Sequence, residues 1–506
     1  MRSNPDDLFC GDLPTSPCPG TGAILVTGAT GYIGGRLVPE LLHRGYHVRV
    51  MSRELSPEHR ERWPGAEVVK ADALQPESLG PALEGIHTAF YLIHPLLLAN
   101  EMAESATVQA AANFRKTAEE KGISHVIYLG ALGDSRTSPS VLLRQRAQVP
   151  EELRRSGIPV TALFSAAIIG SGSASYELIE HLVRSCPVLL IPSWAESRCQ
   201  PVAVRDVIKY LVGLLETPGV SGRTFEIGGA DVLSLREMLT ITAQVLCRKK
   251  LLLRAPIEHA GMYAYLASLL TPVPMQICRC LLEYWHGDLL CRDQEIRRIV
   301  PFRLLGYREA LVRALSREEQ DRVYTRWSDA YPPDYDLAMK LHELDGLPTY
   351  QSSYSLVTDK DASALFRSIC RIGGREGWFN SNWLWRIRGA FDRMLLGVGT
   401  SRGRKSATSL EAGDVIDFWR VEDYRVNERL LLRAEMKLPG RAWLEFRIDQ
   451  LNGRNSLSVT AYYQTKGLWG RFYWYVFLPF HIFIFRDLIR QIERTSVGIR
   501  TPGSSK

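Results

Sequence analysis

The chain has 506 residues, of which 45% are hydrophobic and 23% charged; this is ordinary globular composition and excludes long disorder outside the termini. The length is too great for one core and predicts two or three domains. The formal charge of +7 is uneven: residues 346–506 carry 25 Lys and Arg against 15 Asp and Glu, while residues 1–345 carry 37 against 40, so a solvated basic face or an anionic partner is expected only in the last part.

Met1 to Thr21 is polar and rich in Pro, Asp and Gly, without a secretory pattern, and is predicted to be a disordered leader (1–21). Apolar, β-rich runs follow at Ala23–Thr27, His47–Met51, Glu67–Lys70, Thr88–Ile93, His125–Leu129 and Pro159–Phe164. Helical-period stretches at Gly35–Arg44, Ala103–Lys121 and Gln148–Ser156 separate them. Short apolar strands alternating with amphipathic helices predict α/β architecture, a doubly wound parallel sheet over residues 22–255.

Residues 256–345 are predicted to be a mostly helical cover, with Ile257–Leu290 broken by Thr271-Pro-Val-Pro274. From residue 346 to 499 the pattern changes. A helix at Ala362–Ile369 precedes strand-like runs at Asp414–Val421, Arg429–Lys437, Ala442–Ile448 and Ser456–Gln464. Close spacing and alternation predict an antiparallel sheet in an α+β domain. A long apolar helix, about Trp469–Glu493, then leads to a tail at 500–506.

Gly28-x-x-Gly31-x-x-Gly34 sits between the first strand and the first helix. In that context the glycines allow a sharp turn, close approach of a pyrophosphate and tight helix–strand packing. The helix N-terminus faces the phosphates. Dinucleotide binding is therefore expected at Gly28, Thr30, Gly31, Tyr32, Ile33 and Gly34. The second strand ends in Ser52-Arg53 rather than in an acid. A guanidinium there suits a 2′-phosphate and favours NADP over NAD. Asp72-Ala73 follows the third strand, where the carboxylate either meets the adenine or closes an Asx turn. Leu92-Ile93-His94 ends the fourth strand, where the ribose would pass. Nine cysteines lie scattered, with Cys278 and Cys280 the one close pair. That spacing predicts reduced thiols and no metal.

The sequence Thr27-Gly-Ala-Thr-Gly-Tyr-Ile-Gly34, with Asp72 and Val126-Ile-Tyr-Leu-Gly130, resembles the short-chain dehydrogenase/reductase superfamily. The branch it resembles is the atypical, NmrA-like group of NAD(P)-binding proteins, akin to the accessory NAD(P)-binding subunit of respiratory complex I. The likeness runs from about Ala23 to Asp345. It implies a Rossmann fold, a nucleotide-binding oxidoreductase ancestry and a loop Phe164-Ser-Ala-Ala-Ile168-Ile-Gly170 lying against the nicotinamide. By the same resemblance, Trp194 and Arg198-Cys-Gln-Pro201 would line a substrate pocket. Trp383-Leu-Trp-Arg-Ile-Arg388, Asp417-Phe-Trp-Arg420, Pro439-Gly-Arg-Ala-Trp-Leu-Glu445 and Phe472-Tyr-Trp-Tyr475 are similar to an uncharacterised domain that accompanies some bacterial proteins of this type. That domain resembles the START/polyketide-cyclase helix-grip group.

Superfamily catalysis needs a Tyr, a Lys four residues later and a Ser. The resemblance aligns Leu142 with the Tyr and Arg146 with the Lys, and the fifth strand ends without the Ser; Ser138 and Ser140 lie nearby. Arg146 is a weak catalytic candidate, because a guanidinium is a poor acid or base. Two functions stay open. One is an NAD(P)-dependent oxidoreductase acting on a small or lipophilic substrate held between the two domains. The other is a non-catalytic NAD(P)-binding sensor or assembly factor. A cytoplasmic location is expected, with peripheral attachment to the inner membrane open through residues 386–405 and 469–486. Phe472–Phe485 as a helix reaches only ~21 Å, short of the roughly 30 Å membrane core. No nucleic-acid reading motif is present, and no nucleic-acid partner is expected.

Overall fold

The computed structural model describes residues 8–53, 59, 62–93, 101–133, 141–255, 258–319, 326–327, 340–341, 344, 346, 348–373, 378, 410, 412–436, 438–451, 453–465 and 467–496. Two compact units divide the chain, residues 1–331 and 332–506.

In the first unit, strands β1 (Ala23–Val26), β2 (Val48–Ser52), β3 (Glu67–Lys70), β4 (Ile86–Tyr91), β5 (His125–Ala131), β6 (Val160–Ser165) and β7 (Thr224–Ile227) form one parallel sheet. Their order is β3-β2-β1-β4-β5-β6-β7. Alternate residues face two separate apolar cores. Ile24 and Val26 join Leu37, Leu41, Val207 and Leu211 on one face. Leu25 joins Leu79, Phe114, Tyr128 and Val149 on the other. Both faces are covered, which is why the strands read as nearly continuous apolar runs. Helices α1 (Gly34–His43), α2 (Pro76–Leu83), α3 (Glu101–Glu120), α4 (Val141–Leu153), α5 (Ala174–Ser185) and α6 (Val204–Glu216) supply the outer layers. Helix α4 begins seven residues before the predicted Gln148. Its side chains Leu143, Val149 and Leu153 are buried.

Helix α7 (Leu235–Val245) follows within the expected sheet domain, and the region expected as a helical cover holds α8 (Ala260–Leu270), α9 (Met275–Tyr284), the short α10 (Glu295–Ile299) and α11 (Tyr307–Glu319). Ala264, Ile277, Cys278, Leu281, Tyr307 and Leu311 all bury in the cluster that holds Phe114. Ser234 begins α7 with a reciprocal capping box to Glu237, which satisfies two backbone donors. Cys278 and Cys280 are buried free thiols.

The leader departs from the expectation of disorder over its described part, residues 8–21. Phe9, Cys10 and Leu13 are buried. The Phe9 and Cys10 amides donate to the Glu40 carboxylate, Lys209 Nζ reaches Asp12 at 2.6 Å, and the Arg205 guanidinium lies 4.7 Å over the Phe9 ring. Composition marked the segment as polar, but the Phe9 and Cys10 amides and Asp12 meet partners on α1 and α6.

Asp206 on α6 is buried, and its Oδ2 accepts from the Leu305 amide at 2.9 Å. Burial pushes its carboxyl up to about 6. A folded value above the unfolded one favours the fold at low pH, and that contribution is lost as pH rises through about 6. Asp206→Asn is therefore expected to gain stability relative to the wild type between pH 4 and pH 7. Urea unfolding of both proteins at the two pH values checks this; an unchanged difference refutes it.

The second unit is an antiparallel sheet of β8 (Tyr350–Thr358), β9 (Val415–Ile416), β10 (Trp419–Arg425), β11 (Arg429–Ala434), β12 (Arg441–Leu451) and β13 (Arg454–Gln464), in the order β8-β13-β12-β11-β10-β9. Helix α12 (Ala362–Ile369), capped by Asp361, and the long α13 (Leu468–Thr495) complete it. Trp474 of α13 stacks on Tyr463 of β13, with ring centres 5.7 Å apart, and Leu488, Ile489 and Ile492 are buried. Inside the sheet, Arg420 pairs with a fully buried Glu435 at 2.5 Å.

Candidate functional site

The order of strands reverses direction between β1 and β4. In open α/β sheets a ligand crevice lies at that switch, beyond the C-terminal strand ends. The glycine turn leaves β1 at this point. Gly28 has φ +62°, a conformation that side chains resist. A Cβ on it would lie 2.7 Å from the Leu92 carbonyl oxygen. A Cβ on Gly31 would lie 3.2 Å from the Gly28 oxygen, and one on Gly34 would meet Ala29 Cα at 2.7 Å. The Gly31 amide closes the turn onto the Gly28 carbonyl at 3.0 Å. Helix α1 follows with no side chain capping its N-terminus. The positive end of α1 thus stands beside a turn whose three glycines leave no room for a Cβ, the arrangement that fits a pyrophosphate.

Thr27, which the sequence reading left without a role, fastens this turn. Its hydroxyl donates to the Phe90 carbonyl at 3.0 Å and accepts from the Leu92 amide at 3.0 Å. The end of β1 is thereby locked to the end of β4. Tyr32, Ile33, Leu92 and Ile168 are all partly buried at the margin of one apolar cluster. Arg36 was also missed. Its buried guanidinium lies 4.1 Å over the Tyr32 ring and donates to the Tyr32 carbonyl at 3.2 Å and the Ser171 carbonyl at 2.8 Å. It ties the glycine turn to the segment after the Phe164–Gly170 loop. In sequence it is one arginine among many on a helix, and nothing in the spacing distinguishes it.

Ser52 is buried at the end of β2, and Arg53 beside it is exposed. Asp72 closes an Asx turn, its Oδ1 accepting from the Leu74 amide at 2.9 Å. One carboxylate oxygen is therefore committed to the backbone. The Ala73 carbonyl accepts from Asn113 Nδ2 at 2.9 Å. Ile168 and Ile169 pair in parallel with Val202 and Ala203, and the Ile168 carbonyl accepts from Ser173 Oγ at 3.0 Å. Trp194, expected to line a pocket, is committed to packing: it is buried, stacks on His286 with centres 5.5 Å apart, and donates to the Glu258 carbonyl. His94, Ser138 and Ser140 lie outside the described residues, and so do the side chains of Leu142 and Arg146 on α4. Among the described residues no group of three or more His, Cys, Asp or Glu could hold a metal.

Residues 20–249 match the NmrA-like family. The photosystem II assembly factor Ycf39 of Cyanophora paradoxa is 31% identical over 233 residues, covering 43% of this chain and 68% of that protein. The chain belongs to the NmrA-like family. Its first unit is an NAD(P)-binding Rossmann domain of the short-chain dehydrogenase/reductase type. Residues 346–488 match a second family, described as a protein of unknown function (DUF2867). The mitochondrial NADH dehydrogenase [ubiquinone] 1 alpha subcomplex subunit 9 of Arabidopsis thaliana is 30% identical over 224 residues, covering 43% of this chain and 56% of its own length. This chain thus spans little more than half of that relative. The (4-alkanoyl-5-oxo-2,5-dihydrofuran-3-yl)methyl phosphate reductase of Streptomyces griseus is 25% identical over 268 residues, covering 51% of this chain and 85% of that enzyme.

Proposed function

We propose that this protein is an NADPH-dependent reductase acting on a lipophilic carbonyl or quinone-type substrate. The glycine turn at the sheet's switch point carries the reading, because Gly28, Gly31 and Gly34 leave no room for a Cβ and the backbone there suits close approach of a pyrophosphate. The Thr27 and Arg36 contacts hold that turn rigid. Arg53, exposed at the end of β2, would hold a 2′-phosphate through charge-assisted bonds. Ile168, partly buried beside the cluster that also borders Tyr32 and Leu92, would offer apolar surface to a flat ring. The bound nicotinamide supplies the hydride chemistry. In the second unit, an antiparallel sheet carrying a long helix supports a helix-grip-like cup for an apolar ligand.

Arg53→Glu is expected to weaken NADPH binding at least about tenfold and to leave NADH binding within about twofold, since the lost bonds are charge-assisted. Titration calorimetry with both cofactors checks this. Equal losses for both would remove the case for NADPH. Turnover is tested by following NADPH absorbance across a panel of lipophilic aldehydes, ketones and quinones. Binding without oxidation on any of them would defeat the reductase reading.

A second reading, a cofactor-binding assembly factor without turnover, is favoured by Leu142 at the position where a proton-donating Tyr is needed. The relative named as a photosystem II assembly factor supports it as well. Under that reading the wild type stays inert, and Leu142→Tyr introduces slow NADPH oxidation.

A further inference from the structure

Helix α13 has one face that no other described residue covers. Leu468, Trp469, Phe472, Tyr475, Val476 and Phe483 are exposed, with Trp469 at 80%, Phe472 at 62%, Tyr475 at 63% and Phe483 at 65%. Their spacing of three, four and seven residues places them along one helical stripe. The opposite stripe, from Trp474 through Phe485, Leu488 and Ile492, is buried. Soluble helices put the apolar face inward. This helix is apolar on both faces over its first four turns, and large exposed aromatic patches mark interaction surfaces.

The same exposed stripe changes character toward the C-terminus, where Arg486, Arg490 and Arg494 continue it at four-residue spacing, all exposed. Arg471 stands exposed near its start. Among the described residues none of these four guanidiniums pairs with a carboxylate. Pro479 lies between the two parts, and the segments Leu468–Pro479 and Phe483–Thr495 meet at 52°. Proline lacks the amide that would continue the ladder, which accounts for the kink. An aromatic arm and an arginine-bearing arm therefore meet at an angle. Residues 346–506 as a whole carry ten more basic than acidic side chains.

We propose that the exposed face of α13 docks on an anionic lipid bilayer. The aromatic arm enters the headgroup–acyl boundary, and Arg486, Arg490 and Arg494 engage lipid phosphates. Amphipathic aromatic side chains belong at that depth, and basic residues beside them select anionic lipid. Charge complementarity decides the occupant: a purely apolar protein partner has no use for unpaired arginines along the same stripe. No single described helix is long and apolar enough to cross a membrane, although the bent pair passes that test jointly by length and composition. The arginines on the second arm favour lying along the surface over crossing.

The test is flotation of the full chain with vesicles of phosphatidylcholine alone and of phosphatidylcholine mixed with phosphatidylglycerol. The chain should float with the mixed vesicles and be released by salt. Trp469→Ser with Phe472→Ser should weaken binding about tenfold per aromatic removed. Arg486→Gln, Arg490→Gln and Arg494→Gln together should weaken it about fivefold per arginine at low salt. All five side chains are exposed, so unchanged circular dichroism and melting are expected. Quenching of wild-type tryptophan fluorescence by brominated phosphatidylglycerol supplies a measurement that needs no variant. Failure to float with anionic vesicles overturns the proposal, as does flotation that neither variant weakens. Two further results overturn it: resistance to both salt and alkaline wash, which marks a span, and a lipid-free dimer that the Trp469/Phe472 variant dissociates, which marks a second copy as the occupant.

Discussion

Gly28→Val is expected to lower NADPH affinity at least about tenfold and to cost about 1–3 kcal/mol of stability, the usual price of a β-branched residue in the left-handed region. Two separate effects combine. The backbone at Gly28 sits at φ +62°, and the added Cβ would be driven to 2.7 Å from the Leu92 carbonyl oxygen. Leu92 cannot retreat freely, because its amide is held by Thr27. The turn must therefore open, and the amides proposed to face the pyrophosphate move with it. Gly45→Ala separates the two effects. Gly45 also has a left-handed φ, +83°, but a Cβ there meets nothing within 4 Å. That variant should lose a comparable backbone contribution and keep its cofactor affinity. Calorimetric titration with NADPH, alongside urea unfolding, makes the comparison. Unchanged affinity in the Gly28 variant would mean that the turn does not hold the cofactor.

Glu216→Ala is expected to destabilise the first unit by about 3–5 kcal/mol, the range for breaking a buried ion pair. The Glu216 side chain is fully buried, and Arg44 beside it is 11% exposed. Its carboxylate accepts from Arg44 Nε at 2.7 Å, Arg44 Nη2 at 2.6 Å, Thr15 Oγ1 at 2.5 Å and Tyr46 Oη at 3.0 Å. Removing it leaves Arg44 Nε and two hydroxyls without their acceptor and the buried guanidinium without its counter-charge. The leader should also loosen, since Thr15 is anchored here and Arg44 donates to the Cys10 and Thr15 carbonyls. Faster proteolysis within residues 8–21 should accompany the fall in the urea midpoint. Replacing Arg44 and Glu216 together by Met and Leu should recover part of the loss, because no charge then remains buried. A single variant as stable as the wild type would show that the carboxylate contributes nothing.

What sequence determined by itself was local or periodic. The glycine turn was legible because the requirement for a residue without Cβ is written at Gly28, Gly31 and Gly34 and depends on a handful of neighbours. The parallel strands were legible because burial on both faces makes each run apolar along its length, and the antiparallel sheet because its strands alternate at close spacing. The tertiary structure decided what depends on groups distant in the chain. Asp12 with Lys209 and Thr15 with Glu216 lie about two hundred residues apart, so a leader that looks disordered by composition becomes part of the core. Only the fold commits one Asp72 oxygen to the Leu74 amide, a bond that spacing in the sequence does not specify. Arg36 gained its clamp on Ser171 only when α1 and the loop after β6 came side by side. The aromatic run near the C-terminus was visible as a run, but a helix apolar all round cannot announce which face a sheet will cover. Packing of Trp474 and Phe485 inward left Trp469, Phe472 and Phe483 outward, and that asymmetry exists only in the folded chain.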